Sequence, residues 1–331
     1  MPQPRPHLLF IAYHFPPHRT VACHRSRNLA KHLALLGWKV TVLTLDESVW
    51  QRVDDTISDF RDIDKDILRV LRVRPRLRWL NTDQWRQFSP KLTWWAGAPF
   101  RRLCRPLGIE LSIGWIPSAL RAAQSLDTDP PHIVLATGGP FLSSFYLANR
   151  LARRWNVPYV LDYRDLWTTG NPHNSSRLSA WQTSLERRYA RHASLVVAVS
   201  DGLADNLQAH LHLARRPEVI TNGYDPEVVA RVDPTVFPEP AVVYAGTLYP
   251  PLRTLDPLLA ALRLLDLDDL PWRFHYYGLQ AHLVQSSARL YSLAHRVTCY
   301  GEALLDWRQR RHPAGSRTRR RRHCRGRCRR H

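Results

Sequence analysis

The sequence lacks any apolar run of the roughly eighteen residues that a membrane-spanning helix requires, and no signal-peptide core precedes the first predicted strand. Its five cysteines are odd in number and scattered, which argues against a disulfide framework and favours a reducing compartment. Acids are also scarce, because 28 of them face 48 lysines and arginines. We therefore expect a cytoplasmic protein with an anionic partner.

Most of the net positive charge lies at the C-terminal end. Residues 308–331 hold twelve arginines and no acid, so that +8 of the net charge of +20 remains for residues 1–307. Without apolar periodicity the last segment cannot form a core, which predicts a disordered Arg-rich tail or the product of a shifted reading frame. An RNA-binding arm is the alternative, and nucleic acid is expected to bind only nonspecifically there. The His323-Cys324-x3-Cys328-x2-His331 pattern departs from common zinc-finger spacing, so no metal site is predicted.

One strand–helix–strand unit organises the middle of the chain. Residues 133–136 are an apolar run typical of a buried strand, residues 141–155 repeat apolar side chains at helical spacing, and residues 159–161 form a second buried strand. Such units are parallel and right-handed, so the polar turns at 137–139 and 162–165 should meet at the carboxyl edge of one sheet.

Predicted strands and helices alternate on both sides of this unit. Strands are predicted over 8–13, 40–43, 67–73, 195–199 and 219–220, and helices over 21–36, 115–126, 177–191 and after Ser200-Asp201. This predicts a doubly wound α/β domain over residues 1–223 and a proline-containing linker over 224–240. A partial second α/β domain follows over 241–307, with strands over 242–245, 273–277 and 297–300 and a helix over 255–265.

Four ordered motifs carry a family resemblance: Tyr13-x-Phe15-Pro16-Pro17, Ala136-Thr-Gly-Gly-Pro140, Asp162-x-Arg164-Asp165-x-Trp167 and Val219-Ile-x-Asn222-Gly223-x-Asp225. Over residues 7–307 the chain resembles a family 4 glycosyltransferase of the GT-B fold, a group that includes bacterial polysaccharide and lipopolysaccharide glycosyltransferases. The resemblance implies two Rossmann-like domains and a retaining, metal-independent transfer from a nucleotide-sugar co-substrate, with no other cofactor. It also implies further units in the second domain, with paired glutamates that this sequence lacks. We therefore expect an incomplete second domain and impaired sugar transfer.

The resemblance and the predicted strand ends together nominate the site residues. Asp165 is the candidate that orients the acceptor hydroxyl, and Arg164 is expected to bind phosphate or acceptor, because a permanently charged guanidinium cannot act as a base. A structural ion pair between Arg164 and Asp165 is the alternative. The other acceptor-side candidates are His14, Arg19, Arg25, Gly138, Gly139 and Asn222, and the donor-side candidates are Gly246, Thr247, Arg253 and Gly278. For His14 a solvated loop position is the alternative.

Residues 74–105 place four tryptophans among arginines. This composition suits the interface of an anionic membrane, and a helical insertion that buries the tryptophans is the alternative.

The expected function is a cytoplasmic, membrane-peripheral glycosyltransferase of cell-envelope polysaccharide biosynthesis, which acts on a lipid-linked or polysaccharide acceptor. The alternatives are a nucleotide-sugar epimerase of the same fold, a non-catalytic remnant, and an RNA-associated protein that acts through its tail.

Overall fold

The computed structural model describes residues 5–18, 20–49, 64–75, 110–168, 179–230, 234, 236–264 and 271–300. The candidate residue Arg19, nearly all of the tryptophan-rich segment and the basic tail lie outside these ranges. The chain divides into two compact units, and the boundary falls between Asp225 and Pro226.

Within the described part of the first unit, seven parallel strands form one sheet in the order β3-β2-β1-β4-β5-β6-β7. From β1 the chain adds strands outward on one side, and from β4 it adds them on the other side. The switch point of the sheet therefore lies between β1 and β4, where crevices for ligands form in folds of this kind. The strands are β1 (His7–Ile11), β2 (Lys39–Leu45), β3 (Leu68–Val73), β4 (Ile133–Thr137), β5 (Tyr159–Tyr163), β6 (Leu195–Ala198) and β7 (Glu218–Val219).

Helices lie on both faces of this sheet. They are α1 (Ala22–Leu35), α2 (Ile116–Ala123), α3 (Phe141–Trp155), α4 (Ser179–His192) and α5 (Asp201–Leu211), with short 3₁₀ turns at Glu47–Val49, Leu111–Trp115 and Gln124–Leu126. Alternation along β1 shows the two layers, because Leu8 and Phe10 pack in the cluster with α1, whereas Leu9 and Ile11 pack in the cluster with α2 to α5. The predicted doubly wound α/β fold is confirmed.

Local signals explain the ends of two helices. Helix α3 follows Gly139-Pro140 and ends at Asn156, which takes the left-handed conformation with a φ of 52°. The Ser200 hydroxyl accepts a hydrogen bond from the Leu203 amide at 3.3 Å, so Ser200 caps α5 as its sequence predicts.

The second unit contains α6 (Pro226–Val229), β8 (Ala241–Ala245), α7 (Asp256–Leu264), β9 (Arg273–Tyr277), α8 (Ala281–Leu290), a 3₁₀ turn at Ala294–Arg296 and β10 (Val297–Cys299). Its described strands form a parallel three-stranded sheet in the order β10-β9-β8. Phe274 and Tyr276 pack with Leu259 and Val284 in its core.

Some predicted boundaries were wrong. The predicted turn at 162–165 is partly strand, because β5 continues through Asp162 and Tyr163. The single predicted helix over 115–126 is α2 flanked by two 3₁₀ turns. Among the described residues, no helix combines the length and the apolar character needed to cross a bilayer.

Candidate functional site

Polar groups gather at the carboxyl edge of the first sheet, near its switch point. The loop after β1 carries His14, the loop after β4 carries Gly138 and Gly139, and the chain after β5 carries Arg164 and Asp165. The structure brings these segments together through side-chain bonds that cross between elements. The prediction that the two turns meet at one edge agrees with this arrangement.

Arg25 ties α1 to the end of β5 and to the chain after β7. Its guanidinium makes a bidentate ion pair with Asp162, with Nη2 at 2.7 Å from Oδ1 and Nε at 3.0 Å from Oδ2. Nη1 donates to the Thr221 carbonyl at 3.0 Å and to Asn222 Oδ1 at 3.3 Å. Two predicted acceptor-side residues, Arg25 and Asn222, are therefore in contact, and Arg25 is neutralised by a buried acid that was not among the candidates.

Arg164 is held by backbone carbonyls. Its guanidinium donates to the Gly138 carbonyl from Nε at 3.2 Å, to the Gly139 carbonyl from Nη2 at 3.4 Å, and to the Ala22 carbonyl at the start of α1 from Nη1 at 3.0 Å. Burial lowers the pKa of this guanidinium, and the nearby carboxylates of Asp162 and Asp165 oppose that shift. In this geometry Arg164 clamps the glycine loop after β4 to the start of α1.

The two glycines after β4 are required by close packing. A Cβ on Gly138 would lie 2.2 Å from the Phe141 ring. Gly139 has a φ of +77°, which disfavours any other residue, and a Cβ there would lie 3.0 Å from Nη2 of Arg164. Gly138 thus makes room for the Phe141 ring, and Gly139 makes room for the Arg164 guanidinium.

Asp165 stands at the rim of a cleft of about 700 Å³ in the first unit. One wall of the cleft is the face of α1 from Val21 to Leu36, and the other is the segment 220–224. Asp165 is exposed, whereas Arg164 beside it is partly buried. Among the described residues that line the cleft, Asp165 is the exposed carboxylate.

His14 is not a solvated loop residue. Its Nδ1 lies 3.1 Å from Nδ1 of His18, and the two imidazole rings stack. The His14 ring also makes an edge-to-face contact with the Tyr13 ring. Burial lowers the pKa of His14 to about 3, with smaller contributions from His18 and Arg164, and burial lowers that of His18 to about 4. Both rings are neutral near pH 7.

Two glutamates next to the site, the buried Glu186 and the partly buried Glu110, were missed by the sequence reasoning. Glu110 accepts hydrogen bonds from the first amides of α3, and Glu186 on α4 accepts from the amide of Thr168, which follows the Asp165 segment, at 3.2 Å. Burial raises the pKa of each carboxyl to about 7. The sequence does hold one signal for Glu110. The residue before α3 is Pro140, whose side chain cannot cap the helix, so an acceptor from elsewhere in the chain is needed there.

In the second unit the loops after β8 and β9 touch. The Gly246 amide donates to the Tyr277 carbonyl at 2.9 Å, and a Cβ on Gly278 would lie 2.4 Å from the Gly246 oxygen. Thr247 follows Gly246, and its carbonyl accepts from the Tyr244 hydroxyl at 3.4 Å. Arg253 is exposed, with its guanidinium 5.6 Å from the centre of the Tyr249 ring. The candidates Gly246 and Gly278 are therefore neighbours.

In the described ranges, no group of three or more His, Cys, Asp or Glu side chains is placed to hold a metal ion. The sequence contains two Asp-x-Asp patterns, Asp62-x-Asp64 and Asp266-x-Asp268; Asp64 is described and exposed, and the other members lie outside the described residues.

Comparisons with known proteins bear on this site. A family model for a glycosyl transferase 4-like domain matches residues 23–223, a range that contains the Arg25, Arg164 and Asp165 segments. No curated protein matches the sequence. Among solved structures, the chain is similar to the apo form of the lipopolysaccharide outer core galactosyltransferase WaaB, at 13% identity and a TM-score of 0.50, over 91% of this chain and 70% of that chain.

Two further solved structures show weaker likeness. One is the glycosyltransferase of kitacinnamycin, at 14% identity and a TM-score of 0.47 over 90% of this chain and 71% of that chain. The other is a UDP-N-acetylglucosamine 2-epimerase, at 15% identity and a TM-score of 0.44 over 90% and 69%. Because the family model matches well over half of the sequence, the chain belongs to the glycosyl transferase 4-like family, and its parallel α/β architecture is that of GT-B glycosyltransferases.

Proposed function

We propose that the protein transfers a sugar from a nucleotide-activated donor to a lipid-linked or polysaccharide acceptor of the cell envelope, at the cytoplasmic face of the membrane. The observation that carries this proposal is the exposed Asp165 carboxylate at the rim of a cleft inside the matched family domain. The retaining, metal-independent course is carried over from the family resemblance.

The proposal assigns different roles to the residues around the cleft. Asp165 orients the acceptor hydroxyl, since its carboxylate is exposed at the polar end of the cleft. Arg25 and Asp162 hold α1 and the Asn222 segment in place, and Arg164 fixes the glycine loop. The acceptor side is thus a frame of hydrogen-bonded side chains with the exposed Asp165 carboxylate at its rim.

The donor side is assigned to the second unit. Its loops after β8 and β9 carry Gly246, Thr247 and Gly278. Arg253 is a basic residue that follows Thr247 in the same loop after β8. Leaving diphosphates are commonly stabilised by backbone amides and basic side chains. The Gly246 amide already donates to Tyr277, so Thr247 and Arg253 are the candidates we retain for that role.

The test is a transfer assay with a panel of nucleotide sugars and a bacterial lipid extract, together with calorimetric titration of each donor. Asp165→Asn should lower transfer by about 10²-fold or more while donor affinity stays unchanged. The control is Asp66→Asn, which alters an exposed carboxylate in the turn before β3.

Three results would count against the proposal. Failure of every nucleotide sugar to bind contradicts it directly. Equal activity of Asp165→Asn and the control removes the role of Asp165. Conversion of the sugar without an acceptor and without release of nucleotide would favour the epimerase.

A further inference from the structure

The amino-terminal end of α3 is capped from a distant part of the chain. The first amides of any helix lack partners inside the helix, and the preceding Pro140 has no side-chain acceptor to offer. Glu110 supplies both acceptors: Oε1 lies 3.1 Å from the Phe141 amide and Oε2 lies 3.0 Å from the Leu142 amide.

Glu110 is built into this position. The Ser112 hydroxyl donates to its Oε2 at 3.3 Å, and the hydroxyls of Ser112 and Ser143 are 2.9 Å apart. Burial raises the pKa of the Glu110 carboxyl to about 7, although the amide hydrogen bonds oppose this shift, so the group is a carboxylate at pH 8. A negative group is favoured there by the dipole of the 15-residue helix.

A helix end of this kind, although after the first strand rather than after β4, is where Rossmann-like domains bind phosphate. In such domains a glycine-rich turn after a strand leads into a helix whose free amides hold the anion. Here the turn Thr137-Gly138-Gly139 leads from β4 into α3 in the same way. The amides of Phe141 and Leu142 are already bound to a carboxylate of the protein itself.

The cap also fixes the neighbouring site. The Phe141 ring stacks on Trp167, with centroids 5.9 Å apart and an interplanar angle of 6°, and it covers Gly138. The carbonyls of Gly138 and Gly139 in turn accept from Arg164. Glu110 therefore acts on the Arg164 clamp through the first turn of α3.

We propose that Glu110 is an internal anion that takes the place of a phosphate at the start of α3 and serves as a positioning residue for the glycine loop and Arg164. This inference goes beyond the proposed transfer reaction. It gives Gly138 and Gly139 the task of holding an arginine, and it leaves no phosphate-binding role for this helix end in the native protein.

The test is chemical rescue of Glu110→Ala in the full-length protein at pH 8. Loss of the cap should lower the melting temperature by about 5 °C. Sodium formate should restore most of that loss, because the small carboxylate fits the vacated position, whereas formamide, which is neutral and of similar size, should not. Wild type and the exposed-site control Glu218→Ala should respond equally to the two additives.

Glu110→Gln keeps the shape of the side chain but replaces one of the two acceptor oxygens with an amide group that donates, so it tests the cap if Glu110→Ala fails to fold. Amide hydrogen exchange in the peptide that begins α3 should be about tenfold faster in Glu110→Gln than in wild type. Unchanged exchange would overturn the proposal, as would equal rescue of Glu110→Ala by formate and formamide, or no rescue of a folded variant. No nucleotide sugar is used, so the outcome is independent of the transferase test.

Discussion

Replacing Arg25 by methionine should destabilise the first unit by several kcal/mol. Methionine keeps an unbranched side chain with good helix propensity on α1, so the change isolates the guanidinium. The carboxylate of Asp162 that it neutralises lies inside β5, and the side chains of the pair are only 8% and 2% exposed. Water cannot replace the lost partner without opening the sheet edge.

The magnitude follows from this burial. Removing one partner of a buried ion pair costs about 3–5 kcal/mol, because the remaining charge is left uncompensated. The bonds from Arg25 to the Thr221 carbonyl and to Asn222 are at the surface, where water replaces them, and add at most about 1 kcal/mol. A loss of about 4 kcal/mol corresponds to a fall in melting temperature of roughly 8–16 °C for a unit of this size.

The assay is amide hydrogen exchange in the peptide that covers β5, which reports the opening free energy of the first unit. Arg216→Met is the matched control, since it removes ion pairs with Asp201 and Asp205 that are exposed, and it should cost less than about 1 kcal/mol. The double variant Arg25→Met, Asp162→Leu should recover at least half of the loss. A loss in Arg25→Met no larger than in the control, or no recovery in the double variant, would refute the reasoning.

Two further predictions concern stability. Burial raises the pKa of the Glu186 carboxyl from 4.5 to about 7, so its contribution to stability is full below about pH 4.5 and is lost as the pH rises through about 7, by up to ~3 kcal/mol. Urea titrations from pH 4 to 8 should show this fall in unfolding free energy with pH in wild type and in the exposed control Glu218→Gln. Glu186→Gln should show a smaller fall, and an equal fall in all three proteins would contradict the prediction. Gly278→Ala places a Cβ 2.2 Å from the Tyr276 hydroxyl and should destabilise the second unit by about 1–3 kcal/mol, seen as faster amide exchange in β9. Gly202→Ala meets no atom within 4 Å, and equal exchange in both variants would show that the loops yield without cost.

Helix and strand bounds were predictable where glycine and proline residues flank a segment of regular apolar periodicity. The bounds of α3 match the predicted 141–155 because Gly139-Pro140 precedes the helix and Pro158 follows it. The end of β5 was not predictable in the same way. Asp162 reads as a turn residue by composition, and it stays in the strand because Arg25, 137 residues earlier in the chain, neutralises it.

The clustering of the candidate residues was predictable, whereas their individual contacts were less so. Strand order alone places the turns after β4 and β5 at one edge, and Arg25 and Asn222 do meet there. The role of Arg164 depends on carbonyl groups of Gly138 and Gly139, whose direction no side-chain pattern encodes. Glu110 escaped notice because its partners are amides 31 and 32 residues away.

The charge of the whole chain is a poor guide to the charge of this edge. Arg25 is balanced by Asp162, and the positive charge of Arg164 lies beside the carboxylate of Asp165. The positive end of α3 is likewise met by Glu110, which carries a negative charge above pH 7. Among the described residues, Arg25 and Arg164 therefore have carboxylates close to them in the protein, although the sequence carries a net charge of +20. Recognition of a ligand at this edge should accordingly depend on hydrogen bonds and shape, with little contribution from long-range attraction.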